Sequence, residues 1–192
     1  MERSLFRLKV VPFAGYFVLL MAATALGDMV LHHFDLVWVG RYLGIPGTLL
    51  ILLSLAYSLR KRKVIRSGSP KVLLGLHEVL TWLGALMVLV HAGVHFNAIL
   101  PWLALAAMLV NVISGMVGRY LLDRSRRHLL ALQEKYRQHG LSKDAAEMKL
   151  FWDSVTFDLM ARWRAVHFPI SFAFAVLAVG HIVTVFLFWE WK

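Results

Sequence analysis

The sequence predicts an all-α fold: an integral membrane bundle of five transmembrane helices, with the N-terminus cytoplasmic and the C-terminus outside. Three observations predict it. Hydrophobic residues make up 59% of the 192, and the mean hydropathy of +0.66 is far above that of a soluble domain. Several apolar runs reach the roughly 20 residues that cross a ~30 Å hydrocarbon layer. The basic residues gather at the N-terminus (Arg3, Arg7, Lys9), in "RKRKVIRSGSPK" (60–71) and from Arg119 to Arg164, which leaves Arg41 and Lys192 for the opposite side. That asymmetry is the positive-inside pattern. It accounts for the net charge of +10 without nucleic acid, which is not expected as a partner; membrane lipid is.

The first helix is expected over 10–31. Its basic start and "ATA" at 23–25 resemble a signal peptide, but it is read as a retained span, with Pro12 near the first turn where a missing N–H costs little. "LGIPG" (43–47) marks the outer end of the second span, 42–59, and the third, 71–96, follows "SGSP". Pro101 opens the fourth, 98–122, after a tight outer turn. The fifth runs over 164–189. Residues 1–192 thus form a single membrane domain with a cytoplasmic helical loop at 123–163. In that loop two charged helical pieces are expected, broken at "HG" (139–140), with Ser142 as N-cap of the second. Leu150, Phe151, Trp152, Val155, Leu159 and Trp163 form an apolar stripe there. It reads either as a helix lying among lipid headgroups or as a docking surface for a cytoplasmic partner.

Chemistry enters through histidine. With no cysteine in the chain, disulfides, iron–sulfur clusters, thiolate zinc sites and covalent haem attachment are excluded. His77 and His91 lie fourteen residues apart, as do His167 and His181. Fourteen residues of helix return the side chain to within about 40° of its starting direction, ~21 Å further on. Helices three and five run the same way across the membrane, so His77 comes level with His167 and His91 with His181. Each level then offers two imidazoles, the ligand set of a bis-histidine b-type haem. Ligands ~21 Å apart cannot share a single zinc or copper ion. Packing alone is a poor account of four polar groups at such depth. His95, one turn beyond His91, is an alternative ligand; the matched spacing favours His91. Gly84, midway along the His77–His91 stripe, would let a flat macrocycle approach the backbone, although ordinary small-residue helix packing also explains it, as it does Gly115 and Gly118.

This arrangement resembles the transmembrane haem domain of ferric reductases and NADPH oxidases, and is similar in spacing to the cytochrome b of quinol-oxidising complexes. The resemblance covers roughly 71–189. It implies ligand roles for His77, His91, His167 and His181, and hence two haem b groups. That family usually has six helices and often a C-terminal flavin- and nicotinamide-binding domain, whereas this chain ends at Lys192. Electrons are therefore expected from a quinone pool or a partner redox subunit.

The expected function is a dihaem b-type cytochrome carrying electrons across the cell's inner (cytoplasmic) membrane, as the electron-transfer subunit of an oxidoreductase. A haem-free anchor subunit and a small proton-coupled transporter are the other classes. Haem propionates need cations: Lys71, Arg162 and Arg164 are available at the inner level, and Arg41, beside Asn97 and Trp102, at the outer. Glu78 directly follows His77 inside a span, where an ionised carboxylate is costly. It is the candidate catalytic residue for moving protons with electrons at a quinone, with pairing to Lys71 as the structural alternative. His32, His33, His128 and His139 read as solvated.

Overall fold

The computed structural model describes residues 11–93, 99–116, 123–140 and 142–188, all helices and short connections. Among the described residues seven helices follow one another: α1 (Val11–His33), α2 (Val37–Tyr42), α3 (Gly44–Lys61), α4 (Pro70–Gly93), α5 (Ile99–Met116), α6 (Asp123–Gln138) and α7 (Lys143–Phe188). Five of their segments are long and apolar enough to cross a membrane: Ala14–His33, Val37–Lys61, Pro70–Gly93, Ile99–Met116 and Ala165–Phe188. Few of their side chains are buried within the protein. Val18, Phe172 and Leu187 are among many large apolar groups left open, as expected of helices whose solvent is lipid.

The second span starts earlier than expected and is broken. Pro46 has no N–H to donate to the carbonyl of Tyr42, so the helical ladder lapses there. Leu43 N–H instead donates to Gly40 O at 3.3 Å, and Gly47 N–H to Leu43 O at 3.0 Å, which separates α2 from α3.

The chain divides into two compact units. The unit of residues 19–108 and 173–192 holds α3 and α4 packed side by side. A Cβ on Gly84 would stand 2.8 Å from Gly47 O and from Ile51 Cγ1, and a Cβ on Gly47 would stand 3.0 Å from Gly84 O. Two bare backbones meet at this crossing, the usual way for helices to associate in lipid.

The unit of residues 1–18 and 109–172 contains α6 and the first part of α7, which form a hairpin. The expected break at His139-Gly140 is present. Gly140 takes a left-handed φ of 70°, and Ala145 N–H donates to Ser142 Oγ at 3.3 Å, making Ser142 the cap. Leu129, Leu132 and Leu150 bury each other between the two helices, with Tyr136 and Phe157 beside them. Lys149 Nζ lies 5.5 Å from the centre of the Tyr136 ring. Leu150, read above as part of a lipid or docking stripe, is thus hairpin core, only 2% exposed; Phe151 and Val155 remain exposed. The second charged piece and the fifth span also belong to one helix of 46 residues, with Pro169 inside it.

Candidate functional site

Two of the paired histidines meet. The rings of His91, near the end of α4, and His181, on α7, have their centres 6.4 Å apart and tilted by 52°. A metal held at ~2.0 Å by each of two imidazole nitrogens, with each ring centre about 1.1 Å behind its nitrogen, would separate the ring centres by roughly 6.2 Å. Two imidazoles at this separation would be able to hold one ion between them if a nitrogen of each were turned toward it. His91 Nδ1 lies 3.2 Å from Gly40 O on α2. A carbonyl can only accept, so Nδ1 carries the proton and Nε2 the lone pair, the tautomer a ligating imidazole needs.

Gly44 makes room for this ring. A Cβ there would stand 2.8 Å from His91 Cδ2 and 2.9 Å from Nε2, so any larger residue pushes the imidazole off its position. Gly40, whose carbonyl holds His91, is buried, and the next residue is Arg41, exposed at the end of α2. The other outer candidates fare differently: Trp102 is exposed on α5, and His95 and Asn97 lie outside the described residues.

His77 is held in the same way fourteen residues earlier on α4. Its Nδ1 lies 3.0 Å from Ser54 O on α3, and its ring sits 5.6 Å from that of Tyr57. Ser54 is buried, with its hydroxyl donating to Ile51 O at 2.6 Å. Glu78 follows on α4, half-buried. Gly84 faces α3, as described above, and the space beside its Cα is filled by Gly47 and Ile51; in this structure it serves helix packing.

His167 belongs to the other unit and stands in a polar cluster of its own. Its Nδ1 is 2.7 Å from Ser114 Oγ, and that hydroxyl lies 2.9 Å from Asn111 O. Ser171 Oγ is 2.7 Å from Asn111 Oδ1 and 2.6 Å from His167 O. Ser114 is fully buried. Gly115 lies under the ring, where a Cβ would be 3.2 Å from Cε1. Arg162 is exposed five residues before His167, Lys71 is exposed at the start of α4, and the Arg164 side chain lies outside the described residues.

No family model, curated protein or solved structure is similar enough to the chain to count as a match.

Several residues escaped the reading of the sequence. Asn111, Ser114 and Ser171 are polar groups inside spans, a signal that was available, but only the hydroxyl-to-imidazole contact gives them a purpose. Asp28, also inside a span, is another. Its Oδ1 is buried and lies 3.5 Å from His32 Nδ1, and Gly93 of α4 comes so close that a Cβ there would be 3.3 Å from it. His32 itself, exposed, also lies 2.9 Å from Asp28 O. His139 is exposed beside Lys135 O at 2.8 Å.

Proposed function

We propose that this chain is a dihaem b-type cytochrome that carries electrons across a membrane. The observation that carries the reading is the His91–His181 pair, whose ring centres lie 6.4 Å apart, close enough that both imidazoles could serve one iron. Two further features support it. The acceptor for His91 Nδ1–H is built from backbone, which holds the ring without adding charge, and Gly44 keeps the adjacent space clear. His77 and His167, matched by their sequence spacing, are the ligands proposed for a second haem, each with its Nδ1 against an oxygen.

Haem supplies one-electron redox chemistry. The chain's own residues do the rest: they hold the ligand nitrogens, select their tautomers and exclude water with apolar helix faces. Arg41, one residue past the carbonyl that orients His91, is the cation proposed for a propionate at that level, and Arg162 and Arg164 for the other. Electrons pass between a quinone pool or a redox subunit on one side and a partner on the other. Charge placement supports an N-terminus and an α6–α7 hairpin in the cytoplasm, hence residence in the inner membrane.

The test is the absorption spectrum of the purified protein, with haem content measured as the pyridine haemochrome. The reading expects six-coordinate, low-spin b-type bands that sharpen on reduction. A protein purified from haem-replete cells without such bands would overturn it.

A further inference from the structure

The histidines differ in what receives their Nδ1 proton. Backbone carbonyls lie against His77 and His91, whereas a side-chain hydroxyl lies against His167. Ser114 Oγ has one hydrogen and two neighbours, the Asn111 carbonyl at 2.9 Å and His167 Nδ1 at 2.7 Å. The carbonyl can only accept. Both contacts are filled by a single arrangement: the hydroxyl donates to Asn111 O and accepts from His167 Nδ1–H. That arrangement leaves the lone pair of His167 on Nε2. The site is also closed to a substitute. Ser114 is 0% exposed, Gly115 lies directly under the ring, and Ser171 ties the cluster to Asn111 Oδ1 at 2.7 Å.

We infer that Ser114 is a positioning residue that sets the tautomer of His167 and tunes the potential of the haem it ligates. This rests on the dihaem reading above. A hydrogen bond from Nδ1–H makes the imidazole a more basic ligand and so favours ferric over ferrous iron. Removing the acceptor reverses this and raises the potential of that haem alone. Because the acceptor is a side chain, this ligand can be adjusted by one substitution, whereas the ligands held by Ser54 O and Gly40 O cannot.

The experiment is a spectroelectrochemical titration of the full-length protein in detergent, comparing wild type with Ser114→Ala and Ser114→Thr. His167→Ala identifies which of the two components belongs to the haem in question. For Ser114→Ala, that component is expected to shift to higher potential, by about a tenfold change in ferrous-to-ferric ratio at fixed ambient potential, or ~59 mV for one electron. The other component stays in place, and Ser114→Thr, which keeps the hydroxyl, stays close to wild type. If Ser114→Ala does not accumulate, Ser114→Cys keeps the volume with a much weaker acceptor and is expected to shift the same component. Two haems with unshifted potentials in the folded variant would overturn this inference and leave the dihaem reading standing. A wild-type protein without haem would overturn both.

Discussion

The neighbourhoods of His91 and His167 solve one problem in two ways. Each must hold a neutral imidazole in an apolar span with its Nδ1 proton satisfied and its ring against bare backbone. At His91 the acceptor is the carbonyl of Gly40, 51 residues away in sequence, and the clearance comes from Gly44. At His167 the acceptor is the Ser114 hydroxyl, and the clearance comes from its neighbour, Gly115. The lesson concerns where information is stored. A backbone acceptor depends on helix geometry and tolerates most substitutions at its own residue. A hydroxyl acceptor depends on a single side chain.

The sharpest way to break this comparison is through the glycines. Gly44→Ala is expected to cost most of the haem proposed at His91 and His181, because the new methyl would stand 2.8 Å from the ring. Gly115→Ala, at 3.2 Å from His167 Cε1, should only shift the spectrum of its own haem. Gly180→Ala meets just Leu100 Cδ2 at 3.5 Å, an ordinary contact, and serves as the control. Haem content per chain reads all three, and equal losses in the three variants would remove the distinction.

A smaller effect is expected where glycine serves packing alone. Gly84→Ala drives a methyl to 2.8 Å from Gly47 O, so α3 and α4 must separate slightly, at about 1–3 kcal/mol. Thermal unfolding followed by far-ultraviolet circular dichroism should show a lowered midpoint, with the bands of both haems unchanged below it. A selective loss of one haem would instead return Gly84 to the cofactor site.

These residues also mark how far the sequence could be read. Hydropathy and charge were enough for five spans, because length and apolarity are properties of each segment by itself. The hinge at Gly140 and the cap at Ser142 were legible for the same reason. The break at Leu43 was not, since Pro46 acts on a carbonyl four residues upstream. Nor was the role of Leu150, which follows from α6 opposite, a contact that the stripe on a single helix does not reveal; for Gly84, helix packing was one of the two readings, and the structure supplies the helix it packs against, α3. For the site, the matched spacing of the histidines predicted His91 and His181 at one level, and their ring centres lie 6.4 Å apart. Their acceptors stayed hidden, because the carbonyls of Gly40 and Ser54 have no letter of their own.

The smallest effect lies outside the five candidate spans, on α6. Arg137 Nη2 donates to Glu134 Oε1 at 2.9 Å, and this bond, with a second from Gln138, holds the Glu134 carboxyl below its ordinary range. Arg137 is raised in turn. A carboxyl lowered by folding adds stability that is present above its unfolded-state value and is lost as pH falls through its folded one. Both partners are exposed, so water and salt screen the pair. Glu134→Gln should therefore leave haem content untouched and cost the hairpin little at neutral pH, and the difference from wild type should vanish in acid. Limited proteolysis at 139–142 across pH measures it, and a difference that grows in acid would show that the pair was misassigned.

The most direct measurement of the central claim is haem stoichiometry in the double variant His91→Ala, His181→Ala. Wild type is expected to carry two haem b groups per chain. The double variant is expected to carry one, still low-spin, and to lose only the component that Gly44→Ala weakens. Two haems retained after both imidazoles are gone would contradict the account.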